Sequence, residues 1–417
     1  MAFKPNYLIW PILLLVIAFF SLGLVANKTA NLSYYVLVFI SWMTLIFQRS
    51  AFADFWLVCK QYWPINLAMF GIITAITINQ IASGNGSATP FDYPSKIAAF
   101  VFLFWLFLQV PAQQLTFAKW GWIIGVILCT IKLYFMDKDS NGRPDLSVWF
   151  IELVMLLCLF SLVSIGWNNQ KNKRVFITQT GIQIFAGACG LYAAYISETR
   201  GIWIALPVFL FFVFATYIKR WNARSIIIFI SCIAIFGLVL TNTTVVNKRI
   251  NEAKENIRLY TSHENTDTSI GTRLQLWQAS WLLFKEHPLI GIGQQNYAQA
   301  MQELADQKII TPHAARFVHS HNEILYKMMT YGVFGLIAIL LFYLVPAYYF
   351  VRELRHPDHA IKASALMGLC VCLGYFIFGL VDVMLKYSAT NDFYCISIAL
   401  FLAHIVNRKK ALEIKSQ

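Results

Sequence analysis

An all-α polytopic membrane fold follows from three features of this 417-residue chain. Hydrophobic residues make up 58% of it and charged residues only 13%, where soluble domains run nearer half and a quarter; mean hydropathy is +0.59. Apolar runs of the length that crosses a bilayer, about 20 residues, recur along the chain. One long polar stretch, residues 242–322, interrupts them. It holds five of the eight histidines and ends in Arg316-Phe317-Val318-His319-Ser320-His321-Asn322. A membrane chain that keeps one large water-facing segment rich in Arg and His is expected to do its chemistry there.

The apolar runs fall at about 7–26, 32–47, 65–82, 97–110, 120–136, 146–166, 175–196, 201–218, 224–241, 330–350, 363–383 and 391–406, about twelve transmembrane helices in all. The first is too long for the core of a secretory signal and lacks a small-x-small cleavage pattern before Lys28, so it reads as the first transmembrane helix. On this reading residues 1–241 hold nine membrane helices, 242–322 form a large loop carrying active-site residues, and 323–417 hold three more helices and a short tail.

Orientation follows from the placement of Lys and Arg. With a cytoplasmic N-terminus, seventeen fall on the inner side and six in the short outer loops. Both termini are therefore expected in the cytoplasm and 242–322 outside. The net charge of +13 is this loop bias and not a nucleic-acid surface. None of the eight cysteines lies in 242–322. Cys158, Cys189, Cys370 and Cys372 sit inside apolar runs, which suits small core residues and neither a disulfide frame nor a spaced metal site.

Within the polar stretch, 247–260 reads as an amphipathic helix and 261–272 as a flexible polar run. A second helix begins near Thr272, with Arg273, Leu276, Trp277, Ser280, Trp281 and Phe284 at helical spacing, and ends at His287-Pro288. Gly291-Ile292-Gly293 makes a turn, and 295–308 forms a further helix. Trp277 and Trp281 place part of the loop at the membrane interface.

His319 and His321 stand at i, i+2, on opposite sides of a helix but on one face of a strand. Zinc needs a third and fourth ligand; with no His-Glu-x-x-His pattern and no cysteine pair, no metal or other cofactor is expected. His321 precedes a helix that re-enters the membrane, and a helix N-terminus disfavours protonated His, which suits a neutral base. Arg200, in the tight turn Ser197-Glu198-Thr199-Arg200-Gly201, falls on the same side as Arg273, Arg316 and His321. Converging guanidinium groups suit a phosphate-bearing substrate and stabilise a pyrophosphate leaving group without Mg²⁺. No Asp-x-Asp cluster stands in the loop. The plain alternative for each arginine is an interfacial side chain that snorkels to lipid headgroups. Four charged residues lie inside predicted helices: Lys132, Glu152, Lys327 and Asp382. Such residues are functional candidates. Asp382 and Lys386, one turn apart, are placed to pair with each other. Asp382, Arg316, His319 and Asn322 are supporting candidates.

Three motifs now carry a resemblance. His321-Asn322, nine residues, then Gly332-Val333-Phe334-Gly335 is one. Arg200-Gly201-Ile202-Trp203-Ile204 is similar to an Arg-x-x-x-Leu motif, with Ile204 in the place of Leu. Gly271-Thr272-Arg273-Leu274-Gln275-Leu276-Trp277 with His287-Pro288-Leu289-Ile290-Gly291-Ile292-Gly293 is the third. Together they span about 200–335, and the chain resembles the O-antigen ligase and O-antigen polymerase superfamily of membrane glycosyltransferases, the WaaL/Wzy group. The resemblance implies a GT-C-like fold and a metal-independent, inverting transferase of the bacterial inner membrane with a periplasmic active site. Its donor would be a glycan on undecaprenyl pyrophosphate. Arg200 and Arg273 would hold the pyrophosphate, and His321 would be the general base. The leading expectation is an O-antigen ligase acting on lipid A–core oligosaccharide. A Wzy-type polymerase and a protein O-oligosaccharyltransferase are sister readings. A transporter is the unrelated one, but the chain shows no internal repeat and gathers its polar residues in a surface segment instead of at the midplane.

Overall fold

The computed structural model describes residues 7–26, 28–137, 147–218 and 244–416, with scattered positions between 222 and 234. Every regular element among them is helical. Nine helices are long and apolar enough to cross a bilayer, and two shorter apolar ones, Ile9–Leu22 and Gly201–Tyr217, accompany them. These coincide with eleven of the twelve expected spans; the remaining one, 224–241, falls for the most part outside the described residues. The chain is an all-α polytopic membrane protein.

The centre of the bundle is made by the last two spans. The windows of His359–Gly379 and Ser388–Ile414 are 83% and 89% buried, against 22% for Lys173–Ile196, which leaves that helix facing lipid. A helix apolar all round belongs in the middle of such a packing. A buried ion pair crosses this centre: Lys96 Nζ lies 2.9 Å from Asp392 Oδ1, and it also donates to Asn31 Oδ1 and Ser388 Oγ.

Some boundaries differ from expectation for local reasons. An extra helix, Arg49–Gln61, follows the second span and exposes Phe52, Trp56 and Leu57. The apolar run from 330 is the continuation of the helix expected right after His321, which begins at Glu323, with Lys327 Nζ and Glu323 Oε1 facing each other at 3.5 Å across its polar first turn. The 363–383 run stops as a helix at Gly379, so Asp382 lies in a loop.

The helix Glu323–Val351 breaks at Gly332, whose φ is +62°. The chain at 287–293 fills the break. Ile292 N–H donates to the Met329 carbonyl at 3.0 Å, Gly293 N–H to Thr330 at 2.8 Å, and Val333 N–H to the Pro288 carbonyl at 2.8 Å. Backbone groups freed by the kink are thus satisfied by the neighbouring chain, as buried polar groups require. Glycine is demanded on both sides. A Cβ on Gly332 would stand 2.3 Å from the Leu289 carbonyl oxygen, and one on Gly291, at φ +68°, would stand 2.4 Å from the Thr330 carbonyl carbon. Asn79 Nδ2 donates to the Ile290 carbonyl at 2.7 Å and ties a third segment to this seam.

The polar stretch folds as helices Thr244–Thr261, Ser269–Glu286, Tyr297–Asp306 and Pro312–Ala315. They have a small core of their own, in which Leu276, Leu283, Tyr297, Met301 and Leu304 pack with Tyr326 and Met329 of the kinked helix. Trp281 remains half exposed.

Candidate active site

Residues 316–322 run non-helically between Pro312–Ala315 and Glu323–Val351. Asn322, in extended conformation, caps the long helix: its side-chain oxygen accepts from Leu325 N–H at 3.0 Å. Such a cap contributes about 1 kcal/mol. Its Nδ2 donates to the Leu380 carbonyl at 3.3 Å. Leu385 N–H donates to Glu323 Oε2 at 2.9 Å, and Lys386 Nζ to the Val318 carbonyl at 2.6 Å. These three bonds lace residues 318–323 to the 380–386 loop. The expected Asp382–Lys386 pairing does not form. Because the helix ends at Gly379, the two side chains part: Lys386 holds the Val318 backbone and Asp382 turns to the histidines.

His321 adopts φ +50°, a left-handed backbone that costs a non-glycine residue about 1–2 kcal/mol. Its Nδ1 faces Asp382 Oδ1 at 3.5 Å. Asp382 Oδ1 also accepts from Val383 N–H at 2.8 Å, which fixes the carboxylate. His321 N–H points at His319 Nδ1 at 3.3 Å, and the two rings lie 4.3 Å apart. Phe317 closes the far side of His321, ring to ring at 5.5 Å. The side chain of His321 is 23% exposed, while those of His319 and Asp382 are 7% exposed. Within this trio His321 is the member that a substrate can reach.

The electrostatics follow from this enclosure. Burial, reinforced by the neighbouring His321 and Lys386, pushes the His319 imidazole down to about 4, against the opposing pull of Asp382. Burial alone would raise the Asp382 carboxyl, but the His321 contact, the Val383 N–H and the two imidazoles outweigh it and hold it below the usual carboxylate range. His319 is thus neutral with its Nδ1 accepting, which assigns its proton to Nε2, on the side of Asp382. One ligand atom from each of His319, His321 and Asp382 lies within 4.8 Å of the others, a spacing a metal ion could draw together. The contact at His321 Nδ1 equally suits an aspartate-oriented histidine, in which a carboxylate on Nδ1 leaves Nε2 as the base.

The arginines arrive from two other directions. Arg273 lies in the second turn of Ser269–Glu286, a helix capped by Thr268, whose side chain accepts from Gly271 N–H at 3.2 Å. Arg273 is half-buried and acts electrostatically on Glu152. Arg200 begins the helix Arg200–Tyr217, behind the extended residue Thr199; its side chain lies outside the described residues. The backbone there is well placed, since a Cβ on Gly201 would stand 3.4 Å from Val381 Cγ2, next to Asp382. Arg249 braces the same turn, with Nε 3.3 Å from Glu198 Oε2. Arg316 is exposed at the end of Pro312–Ala315, and no hydrogen bond or ion pair ties it to the histidine cluster among the described residues.

Sequence reasoning ranked Asp382 as a supporting residue, whereas the structure makes it the partner of His321. Its only sequence signal was a charge near the end of an apolar run.

Comparison with known proteins agrees with this picture. Residues 185–340 match the family model described as O-Antigen ligase, a segment that contains Arg200, Arg273 and His321 but not Asp382. An O-antigen ligase of Escherichia coli strain K12 is 22% identical over 366 residues, 84% of this chain and 82% of that protein. A Haemophilus influenzae protein described as uncharacterized is 25% identical over 316 residues, 75% of this chain and 78% of that one. By these matches, the chain is similar to proteins of the O-antigen ligase and polymerase superfamily, with the family model falling on residues 185–340.

Proposed function

We propose that the chain is an O-antigen ligase. It would transfer a glycan from undecaprenyl pyrophosphate to the lipid A–core oligosaccharide at the periplasmic face of a bacterial inner membrane, with inversion and without a metal. His321 Nε2 takes the proton of the acceptor hydroxyl as its oxygen attacks the anomeric carbon. The bond from that carbon to the phosphate oxygen breaks, and undecaprenyl pyrophosphate leaves with the electron pair. Arg200 and Arg273 stabilise the charge that develops on it.

The observation that carries this reading is the His321–Asp382 contact at 3.5 Å. It supports a reachable, oriented base on the face where the Arg200 helix starts. The outward bias of the polar stretch under the positive-inside rule supports the periplasmic location.

The test is a deletion strain complemented with wild type or H321A, followed by lipopolysaccharide gels. Wild type restores the ladder; H321A, at equal membrane abundance, gives core without ladder and accumulates lipid-linked polymer. A ladder from H321A overturns the base assignment. Core bearing one repeat in the deletion strain identifies a polymerase instead. Normal lipopolysaccharide with unglycosylated protein identifies a protein transferase. Wild-type transfer keeps its rate in EDTA; loss that Mg²⁺ or Mn²⁺ restores overturns the metal-free arginine clamp.

A further inference from the structure

Of the four charges expected inside apolar helices, three are accounted for. Lys132 Nζ donates to the carbonyls of Leu24 and Val25, both at 3.2 Å. Lys327 faces Glu323, and Asp382 faces His321. Glu152 is different. It is fully buried, and neither carboxylate oxygen has a hydrogen-bond partner among the described residues. Its neighbours along Val148–Val163 are apolar on every side, with Phe150, Ile151, Leu153 and Val154 buried around it. An unpaired buried carboxylate is strongly destabilising, and membrane chains that keep such a group use it.

The location indicates the use. A Cβ on Gly201 would stand 3.4 Å from Glu152 Oε1, so the carboxylate lies against the first turn of the Arg200–Tyr217 helix. That end of a helix favours negative charge. Glycine at 201 leaves the carboxylate room. Among the described residues, Arg273 attracts Glu152 and Asp382 repels it. Tyr375 and Tyr387 feel its charge as well. The carboxylate thus stands behind the first turn at Arg200, outside the His321–Asp382 contact.

We infer that Glu152 is a positioning residue for the anion grip: its carboxylate holds the first turn at Arg200 directed toward the pyrophosphate of the donor, without touching the reacting atoms. The inference rests on the reading that Arg200 binds pyrophosphate. It divides the two acidic groups by task. Asp382 serves the base, and Glu152 serves the grip.

The experiment uses the full chain in nanodiscs. E152Q keeps the volume and removes the charge; E152D keeps the charge. Two readouts are taken: binding of undecaprenyl pyrophosphate alone by native mass spectrometry, and glycan transfer with donor and acceptor varied separately. E152Q is expected to weaken binding and raise donor KM by about tenfold, with kcat and acceptor KM unchanged within about twofold. E152D is expected to stay within about threefold of wild type. Wild-type binding by E152Q overturns the inference, as does a fall in kcat at unchanged donor KM. A uniform loss in both variants with a lowered melting temperature indicates packing alone and also overturns it. If wild type binds undecaprenyl pyrophosphate but transfers no glycan, the transferase reading fails while the Glu152 assignment is decided by the binding data.

Discussion

Asp382 Oδ1 faces His321 Nδ1 at 3.5 Å while its backbone neighbour Val383 donates to the same oxygen at 2.8 Å. One oxygen is thereby fixed by its own loop and aimed at the ring of a distant segment. If this carboxylate sets the imidazole tautomer, D382N presents a donor to Nδ1 and turns the proton onto Nε2. We expect D382N to lower the transfer rate by about 10²–10³-fold with acceptor KM little changed. The measurement is initial rate in membranes at matched protein level, and near-wild-type turnover would sink the assignment.

Acid stability reports on His319. Its folded value of about 4 lies below the unfolded value of 6.5. Between those limits the unfolded chain binds more protons than the folded one, so stability is full above pH 6.5 and is lost as the pH falls toward 4. Asp382, held below 3.8, keeps its stabilising charge throughout that window and loses it only lower down. Melting temperatures of the purified protein from pH 7 to 4 should therefore fall, and H319N should flatten the fall. Parallel curves for the two proteins would refute this.

The kink glycine offers a stability test with an internal control. Gly332 and Gly84 share a positive φ, +62° and +64°, but Gly84 lies in the left-handed helical region (ψ +21°) with nothing within 4 Å of a Cβ, whereas Gly332 (ψ −148°) lies where essentially only glycine is found and a Cβ meets the Leu289 carbonyl at 2.3 Å. G84A should cost about 1 kcal/mol, the backbone term alone. G332A should cost about 3 kcal/mol or more and lower the melting temperature clearly further. Equal shifts would show that the collision is relieved at no cost.

Much of this architecture was legible in the residues themselves. Span positions follow hydropathy, since lipid forbids exposed backbone and each crossing must be a complete apolar helix. Arg200, Arg273 and His321 stood out because each sits in a short polar motif at an apolar boundary. What stayed hidden depends on contacts between distant segments. Asp382 meets His321 only because the helix stops at Gly379 and three hydrogen bonds lace the 380–386 loop to 318–323. The break at Gly332 sits inside an apolar run, and the N–H groups that satisfy it come from 292 and 293. The Lys96–Asp392 pair joins residues 296 positions apart, which no local pattern marks. A one-dimensional pattern carries burial well and pairing poorly.

The glycine seam also sets the mechanics of the molecule. Residues 287–293, which follow the Arg273 helix directly, share hydrogen bonds with the Glu323–Val351 helix whose cap adjoins His321. The two helices are therefore welded, and the span between Arg273 and His321 is a caliper of fixed width. If the proposed roles hold, a catalyst built this way would measure its substrate at the lipid-phosphate end and be indifferent to how many sugars lie beyond it. Any widening that admits a bulky chain has to come from the turn at Arg200, since the 380–386 loop is itself laced to residues 318–323.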